Sequence, residues 1–515
     1  MFESEISRSK KVILFTLLII LNIVLRIPSI PHEKGADSFF IHSLANSIIS
    51  FGYANWWVHW LSVFGYYPYS YASAIPFSLS GISQATGIEL EYTILMFCII
   101  IGLFSMFSAY LLAGVIYDDF LFKYLMALFY SISPSIMFFS TWEISSRGPF
   151  IIFLPFIIYL IMKNLQYAKR ALLIIISVIF LFSIHHLAVI LIPIISIFIA
   201  INLISKIKIN KNKFTYLNYL YAVGLVAAFM LPFLKPEMTG ITGSRYGWII
   251  YSMIISVRYI GPMIFFAFSG LVYLIFKKDK KVNLWYFLCM IMSFIPFIYD
   301  QVYGIYIVQL FLIVPLTIGF RNLFNLKDIK SSKIIGAKPI GIFIVAILVS
   351  SVIFSGYYNH YRTGQYKNFW YMDEKTYTTG KWIDHNISKE NKVLFVSENY
   401  YKVRSIALQQ NGSSIIIGGT EGLAYGFIDR DFIKNLQKVP ITDSYFFSES
   451  PYMMTDKDKY RSIDWYLANK HIDTIKEVYE LDYIVQSVSY RRPNGLYDSE
   501  KEKIFSNGVL DIYRP

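Results

Sequence analysis

The chain has 515 residues, of which 55% are hydrophobic, 18% aromatic and 16% charged, and its mean hydropathy is +0.48. This balance excludes a disordered chain, a fibrous protein and an ordinary soluble enzyme. The only cysteines, Cys98 and Cys289, lie in apolar runs, which excludes a disulfide framework and a cysteine metal cluster. The net charge is +13, but basic and acidic residues are equal, at 21 each, from Gly356 onward. The excess belongs to the hydrophobic part, which argues against a nucleic-acid partner.

Apolar runs of about 20 residues, the length that crosses a hydrocarbon layer of roughly 30 Å, recur along the first 356 residues. We count about 11 predicted spans between charged or turn-forming breaks. They are 11–27, 91–116, 122–140, 148–163, 171–184, 187–204, 216–234, 255–276, 283–299, 303–320 and 338–356. The stretch 171–204 is too long for one span, so we predict two, which meet at the membrane surface at His185 and His186.

The loop charges predict the orientation. With the N-terminus inside, the inner loops hold 20 Lys and Arg residues. The outer loops hold only six, which are Arg26, Lys34, Arg147, Lys235, Arg245 and Arg258. By the positive-inside rule, this distribution predicts an N-in, C-out topology with an odd number of spans. We predict a transmembrane domain over 1–356 with a large outer loop at 28–90, and we interpret the first span as a retained signal anchor in a prokaryotic cell membrane.

After Gly356 the composition changes to about 160 polar, charge-balanced residues. Short β-rich runs at 393–396, 415–417 and 483–485, a helical stretch at 375–385 and a turn signal at 505–509 are typical of a small α/β domain. The fold class that we predict is a polytopic α-helical membrane protein whose C-terminal domain, 357–515, is extracytoplasmic.

Most polar residues near membrane depth fall on the predicted outer side. They are His32, Glu33, Asp37, Glu143, Arg147, His185, His186, Arg245, Arg258 and Asp300. Carboxylates at the mouth of a helical bundle are costly to desolvate, so Asp37 and Glu143 together indicate a site. Either one alone is equally compatible with a hydrated interface. Asp118 and Asp119 fall on the predicted inner side, and we interpret them as a solvated helix end.

The outer loop begins with an amphipathic helix from Asp37 to a glycine at 52, followed by tryptophans and tyrosines typical of an interfacial belt. Lying flat on the outer leaflet, this helix would place Asp37 beside a lipid headgroup. His42, a little over one turn further, is either a site residue or a structural one. His185 and His186 would point about 100° apart on a helix, so they cannot both bind one metal. Either one of them lines the site, or the pair is a polar break.

Together these features resemble the GT-C membrane glycosyltransferases, which take sugar from a polyprenyl-phosphate carrier and include oligosaccharyltransferases and protein O-mannosyltransferases. Gly35-Ala36-Asp37 corresponds to the acidic motif of the family's first loop, and residues 140–147, Ser-Thr-Trp-Glu-Ile-Ser-Ser-Arg, lie where the second motif does. Asp300-Gln301-Val302-Tyr303, followed by Gln309 and Pro315, resembles the later outer turn that lines the carrier site. The oligosaccharyltransferase motif Trp-Trp-Asp-Tyr-Gly is absent, which argues against transfer to an asparagine sequon.

The resemblance implies a base that activates the acceptor and cations that stabilise the departing phosphate. Asp37 is the expected base, and Glu143 would orient the acceptor or join Asp37 as an oxygen ligand for Mg²⁺ or Mn²⁺. The expected phosphate ligands are Arg147, Arg245 and Arg258. Arg258 could equally extend toward the interface. The residues expected to line the substrate are His42, His185, His186, Asp300 and Tyr303.

We therefore expect a glycosyltransferase that transfers a sugar or glycan from a polyprenyl (dolichyl-type) phosphate to a glycan or protein acceptor on the outer face of the bilayer. Two alternatives remain open. A transporter or flippase of a lipid-linked saccharide would place functional charges near the bilayer midplane and use broken helices in repeated halves, neither of which the sequence indicates. A non-catalytic membrane scaffold would keep its function when Asp37 is substituted.

Overall fold

A computed structural model describes most of the chain. The described residues are 6–54, 60–66, 71–205, 211–234, 247–278, 280–299, 303–327, 337–365, 371–389, 391, 393–396, 400–407, 414–416, 482–488 and 502–514. In these ranges the protein is mostly helical, with a small sheet near its C-terminus. The helices before the sheet are α1 (Arg8–Val24), α2 (Ala36–Phe51), α3 (Ala74–Thr86), α4 (Leu90–Ile116), α5 (Phe120–Ser131), α6 (Pro134–Phe138), α7 (Arg147–Met162), α8 (Tyr167–Ile184), α9 (Leu191–Ser205), α10 (Lys211–Met230), α11 (Gly247–Ile260), α12 (Phe265–Phe276), α13 (Val282–Phe294), α14 (Gly304–Lys327) and α15 (Ala337–Gln365).

Several of these helices are apolar enough to cross a membrane. Among the described residues, five are long enough to do so alone, and a bent pair would make six. The five are Leu90–Ile116, Tyr167–Ile184, His186–Ser205, Gly304–Phe324 and Gly341–Tyr361. Shorter apolar helices cover Phe120–Ser131, Arg147–Met162, Tyr216–Met230 and Val282–Ile298. Large apolar side chains such as Leu220 and Phe268 are exposed, as a lipid-facing surface requires. The count of about 11 spans and their orientation stay predictions.

Two predicted spans are broken. The span predicted at 122–140 consists of α5 and the short α6, because Pro134 begins a new helix and cannot continue the preceding one. The span predicted at 255–276 bends by 119° between α11 and α12. Gly261, with φ +104°, and Pro262 lie at this bend, and a left-handed residue followed by a proline ends a helix.

The pair of helices predicted around the two histidines is confirmed. Helix α8 ends at Ile184, a 3₁₀ turn covers His186–Ile190, and α9 follows. His185 caps this turn, since its Nδ1 accepts a hydrogen bond from the Leu187 N–H at 3.0 Å. The break therefore places both imidazoles at the same end of the bundle.

The described residues of the C-terminal part form a five-stranded mixed sheet with two helices. Its elements are α16 (Glu374–Asn386), β1 (Val393–Val396), α17 (Tyr400–Ile406), β2 (Ser414–Ile416), β3 (Tyr483–Ser487), β4 (Glu502–Ser506) and β5 (Leu510–Arg514). The strand order is β2-β1-β3-β5-β4, in which β1 pairs parallel with β2 and β3, and β5 pairs antiparallel with β3 and β4. The three predicted strands correspond to β1, β2 and β3, and the turn predicted at 505–509 connects β4 to β5, two strands that were not predicted. Helix α15 continues past Gly356 to Gln365.

Helix α2 lies between the bundle and the sheet. Ile41 and Ala45 belong to the large apolar core of the bundle, whereas Leu44 and Ile48 belong to a second core with the strands of the sheet. Most of the helix is buried. The interpretation that it lies flat on a leaflet is therefore wrong, because both of its apolar faces are covered by protein.

The bundle has two distinct ends. At one end the chain before α2 contacts the C-terminal domain, through a backbone bridge from Lys34 to Tyr371 and a hydrogen bond from the Met372 N–H to the Glu33 carbonyl oxygen. We call this the sheet-domain end. At the other end, the loop that connects α12 to α13 contains four lysines, at 277, 278, 280 and 281. We call this the lysine-rich end.

Candidate functional site

Asp37 and Arg147 form an ion pair at the sheet-domain end. Gly35, with φ +95°, begins α2, and Asp37 lies in the first turn of that helix, where the helix dipole favours a carboxylate. Arg147 is the first residue of α7, and its Nη2 is 2.5 Å from Asp37 Oδ2. The Asp37 side chain is 44% exposed and that of Arg147 is 24% exposed. A ligand can therefore reach both charges.

Three further residues that the sequence indicates lie around Arg147. Its guanidinium carbon is 5.6 Å from the centre of the Tyr303 ring. The rings of His185 and His186 lie 6.2 and 6.4 Å from the same tyrosine and 4.1 Å from each other. The Tyr66 hydroxyl donates to the His186 carbonyl oxygen at 3.2 Å. The structure thus brings Asp37, Arg147, Tyr303 and both histidines together.

The hydroxyl of Tyr71 lies next to this group, 2.6 Å from Ser146 Oγ. The Tyr71 ring also packs edge-on against Phe40 of α2. Burial raises the pKa of Tyr71 well above its usual range. The hydroxyl therefore stays neutral and can serve only as a hydrogen-bonding group beside Arg147.

Glu143 is buried behind the ion pair. Its Oε2 is 4.0 Å from Lys34 Nζ, which also donates to Asn359 Oδ1 at 3.3 Å. The chain passes Glu143 at Gly35, where a Cβ atom would lie 2.6 Å from Glu143 Cδ. Only glycine fits between the backbone and this carboxyl group. Glu143 is thus enclosed by the segment that positions Asp37.

The segment that carries Glu143 is held in an unusual conformation. Trp142 has φ +50°, a left-handed value that costs a bulky residue of order 1–3 kcal/mol unless its surroundings enforce it. Its indole N–H donates to the Glu91 carbonyl oxygen at 3.2 Å, and the Ile144 N–H donates to Ser38 Oγ at 3.2 Å. Glu143 lies between these two anchored residues in a non-helical segment, four positions before α7.

A second buried carboxylate is Glu33, one of the polar residues predicted on the outer side but given no role there. Its Oε1 is 2.6 Å from His42 Nδ1, and its Oε2 accepts a hydrogen bond from Ser38 Oγ at 2.9 Å. His42 thus contacts Glu33 and faces away from the Arg147 side of the helix, since five helical residues correspond to a rotation of about 140° from Asp37. In the sequence, the burial of Ser38 and His42 is indicated only by the apolar residues around them in α2.

His32 connects the two parts of the protein. Its Nδ1 is 3.1 Å from Glu91 Oε1 at the start of α4, and its Nε2 is 3.0 Å from Glu374 Oε2 at the start of α16. Its ring stacks on Tyr377 at 3.8 Å. Burial opposes the charge, but the two carboxylates outweigh it and raise the pKa of His32. Both ring nitrogens can donate to a carboxylate only when the imidazole is protonated.

Arg26 is buried, although the sequence counts it among the outer-loop cations. Its Nε donates to Ser140 Oγ at 2.9 Å, its Nη1 to the backbone and side-chain oxygens of Asn22, and its Nη2 to the Ser131 carbonyl oxygen at 2.9 Å. The bond to Ser140 fixes the start of the segment 140–147. Gly102 provides the space, since a Cβ atom there would lie 1.9 Å from Arg26 Nε.

The remaining predicted phosphate ligand within the described ranges is Arg258. It lies in the last turn of α11, with its guanidinium carbon 5.8 Å from the centre of the Tyr259 ring. Tyr259 in turn packs edge-on against Tyr306 of α14. Arg245 and Asp300 lie outside the described residues.

The two predicted metal ligands do not fit a divalent ion as they are arranged. Asp37 faces the guanidinium of Arg147, and Glu143 faces the ammonium of Lys34. Each carboxylate is opposed by a cation of the chain, whereas Mg²⁺ or Mn²⁺ needs several oxygen ligands around one point. Within the described ranges, no group of three or more His, Cys, Asp or Glu residues is suited to hold a metal. We therefore derive no step through a metal.

Comparisons of sequence find no relative. No protein-family model matches the chain, and no curated protein does. The structure, however, is similar to several solved membrane glycosyltransferases.

The oligosaccharyltransferase of Archaeoglobus fulgidus, solved with a tethered acceptor peptide containing an Asn-Val-Thr sequon, is 13% identical, with a TM-score of 0.60, over 95% of this chain and 70% of the other. ArnT of Cupriavidus metallidurans, bound to undecaprenyl phosphate, is 8% identical, with a TM-score of 0.53, over 98% and 97%. The mycobacterial arabinofuranosyltransferase AftD is 11% identical, with a TM-score of 0.51, over 99% and 42%. All three are GT-C glycosyltransferases, so the resemblance is confirmed at the level of the fold.

Proposed function

We propose that this protein is a membrane glycosyltransferase that transfers a sugar or glycan from a polyprenyl phosphate to an acceptor on the outer face of the membrane. The observation that carries the proposal is the exposed Asp37–Arg147 pair at the sheet-domain end of a GT-C fold. A carboxylate that can accept a proton and a guanidinium that can bind a phosphate are the two groups that this reaction needs.

In the proposed reaction, an acceptor oxygen attacks the anomeric carbon of the sugar from the face opposite the phosphate. The new carbon–oxygen bond forms as the bond to the phosphate oxygen breaks, and the phosphate leaves with the electron pair. Asp37 takes the proton of the acceptor. Arg147, whose Nη2 donates to Asp37, presents the planar guanidinium fork that binds the developing charge of the carrier phosphate.

The neighbouring residues support these two roles. Tyr303 packs on the Arg147 guanidinium and keeps it oriented toward the open side of the site. Glu143, enclosed beside Lys34, positions the backbone between α6 and α7 and is removed from the proton transfer. We propose Arg258 and Arg245 as further ligands of the donor phosphate, and His185, His186 and Asp300 as residues that line the substrate, as the sequence predicts.

The lipid carrier follows from the ArnT likeness, since that protein was solved with undecaprenyl phosphate. The acceptor is a glycan or a protein. The oligosaccharyltransferase likeness favours a protein, but the absent Trp-Trp-Asp-Tyr-Gly motif argues against an asparagine sequon. The outer location of the reaction rests on the charge of the loops, because the lysine-rich end is expected in the cytoplasm.

The test measures transfer from a panel of labelled polyprenyl-phosphate sugars by membranes that contain the wild type, Asp37→Asn or Asp118→Asn. Asp37→Asn keeps the shape of the side chain and removes its basicity, so we expect transfer to fall at least about 100-fold. Asp118→Asn, at the opposite end, should transfer like the wild type. Transfer that survives in Asp37→Asn at unchanged expression would contradict the proposed base, and an EDTA lane reports metal dependence separately.

A further inference from the structure

An apolar cavity lies far from the candidate site, at the lysine-rich end. It has a volume of about 660 Å³ and is enclosed by α9, α10 and α13. Its walls include Ile201, Leu217, Leu220, Trp285 and Met292. A cavity of this size, mostly apolar with a few polar groups at its edge, is typical of a ligand site.

The cavity opens toward the surface that would face lipid. Leu217, Leu220 and Val223 of α10 line it and are also exposed. Gly224, on the same helix, also lines the cavity, and a Cβ atom there would be in van der Waals contact with Met292 Sδ, at 3.4 Å. A flexible hydrocarbon chain can enter from the side, because these three side chains, which both line the cavity and are exposed, are apolar.

The edge of the cavity is basic. Lys280 lines it, donates to Asn218 Oδ1 and to the Lys277 carbonyl oxygen, both at 2.8 Å, and lies 4.7 Å from the centre of the Trp285 ring. Burial and, secondly, the charge of Lys277 lower the pKa of Lys280 to about 8. A negative group at this edge would stabilise the ammonium.

The adjacent loop is predominantly basic, with Asp279 as the one acidic residue in the run 277–281. Four lysines occur within five residues, at 277, 278, 280 and 281. Lys277 reaches the Tyr117 hydroxyl at 3.0 Å, which keeps this loop against the start of α5. Basic pockets between membrane helices on the cytoplasmic side are a recognised arrangement for anionic lipid headgroups.

We propose that this cavity binds an anionic phospholipid, with an acyl chain between α10 and α13 and the phosphate at Lys280. The inference is independent of the proposed glycosyl transfer, because the Asp37–Arg147 pair lies at the other end of the bundle. The apolar walls select a hydrocarbon chain, and the lysine selects the charge of the headgroup over a zwitterionic one.

The test is native mass spectrometry of the purified full chain, with phosphatidylglycerol or phosphatidylcholine of identical acyl chains added to the detergent. The variants are Lys280→Gln, which removes the charge, Gly224→Phe, which fills the cavity, and Lys169→Gln, a matched exposed lysine at the start of α8. We expect the wild type to retain phosphatidylglycerol in preference. One lysine near an anionic lipid contributes about 1 kcal/mol, so Lys280→Gln should lower this retention about fivefold.

The expected pattern also includes unchanged phosphatidylcholine retention in Lys280→Gln, reduced retention of both lipids in Gly224→Phe, and wild-type behaviour of Lys169→Gln. Equal retention of the two lipids by the wild type would overturn the proposal, as would equal losses in Lys280→Gln and Lys169→Gln. Preferential, Lys280-dependent retention of undecaprenyl phosphate over phosphatidylglycerol would overturn the choice of a phospholipid. Gly224→Phe can be checked for folding by circular dichroism, and Lys280→Gln tests the site without changing its volume.

Discussion

The two ends of the bundle carry their charges in different ways. At the sheet-domain end the carboxylates of Glu33, Glu91 and Glu143 are buried, and each lies beside a histidine or lysine. At the lysine-rich end Asp118, 84% exposed, pairs with Lys123 in solvent. Burying a carboxylate costs several kcal/mol before its partners compensate, whereas an exposed pair costs and contributes little. Asp119 at the lysine-rich end is an exception, since it is buried, caps α5 and pairs with Arg321, and its interpretation as a solvated helix end is therefore wrong. Three buried carboxylates, those of Glu33, Glu91 and Glu143, nevertheless lie at the end with the candidate site.

The largest contrast between the ends should come from two arginines that each lie over a tyrosine ring. Arg147 is 5.6 Å from Tyr303 at the sheet-domain end, and Arg170 is 5.3 Å from Tyr167 at the start of α8. We expect Arg147→Gln to lower kcat/KM for sugar transfer about 100-fold or more, because it removes the cation proposed to bind the leaving phosphate. Arg170→Gln should retain wild-type activity.

Steady-state transfer with a polyprenyl-phosphate sugar measures both variants. Arg147→Lys keeps the charge but loses the planar fork, so its activity should lie between those of Arg147→Gln and the wild type. Equal losses in Arg147→Gln and Arg170→Gln would show that stacked arginines matter for folding at either end and would remove the special role of Arg147.

A second contrast concerns stability. Glu33→Gln breaks a buried pair with His42, which typically costs about 3–5 kcal/mol, whereas Asp118→Asn removes an exposed pair worth about 0–1 kcal/mol. The apparent unfolding temperature in detergent should therefore fall clearly in the first variant and little in the second. The double variant Glu33→Gln/His42→Gln tests whether the two residues are coupled. If its loss of stability equals the sum of the losses in the two single variants, they are not.

Much of this comparison could be predicted from the sequence. Apolar runs located most helices, because one long hydrophobic stretch needs no knowledge of its neighbours. The order of the predicted spans placed Asp37, Arg147, His185 and Tyr303 at one end, because every second loop of a helical bundle lies at the same end. The contacts among these residues agree with that grouping. The bend after Gly261 was visible as a Gly-Pro pair but was included in one predicted span.

The contacts that depend on packing could not be predicted. His32 lies 59 positions before Glu91 and 342 before Glu374, and no periodicity relates residues that far apart. Arg26 was counted as a loop cation because it follows an apolar run. It is buried because oxygens of Asn22, Ser131 and Ser140, from three separate segments, meet its guanidinium. Such a cage is a property of the assembled bundle alone.

A third prediction separates backbone strain from crowding at the sheet-domain end. Gly35 and Gly52 flank α2 and have φ values of +95° and +77°. A Cβ atom at Gly35 would lie 2.6 Å from Glu143 Cδ, whereas one at Gly52 would lie in open space within the described part of the chain. Both alanine variants place a Cβ atom on a backbone with positive φ, a strain that costs about 1 kcal/mol, but only Gly35→Ala must also displace a carboxyl group.

We expect Gly35→Ala to lower both the apparent unfolding temperature and the transfer rate, and Gly52→Ala to lower the unfolding temperature slightly with normal transfer. Thermal unfolding and transfer assays on the same preparations provide both readouts. If the two variants have the same unfolding temperature and the same transfer rate, Glu143 moves freely, and its enclosure by the first loop does not position Asp37.

The smallest expected effect is a pH dependence of the stability that His32 provides where the helical bundle meets the C-terminal domain. The pKa of His32 is raised in the folded protein by Glu91 and Glu374, above its usual value of about 6.5. The stabilisation from this histidine is therefore complete below pH about 6.5 and is lost as the pH rises through the folded-state value. Glu374 is largely exposed, so solvent screens part of the effect.

The measurement compares apparent unfolding temperatures of the wild type and His32→Gln across this pH range. Their difference should be largest at the acidic end and shrink as the pH rises, because only the protonated imidazole donates to both carboxylates. His385→Gln, an exposed histidine on the same helix as Glu374, should show no such trend. A difference that grows with rising pH would mean that the neutral ring is the stabilising form. The stacking on Tyr377 would then hold the C-terminal domain against the bundle, and the ion pairs would not.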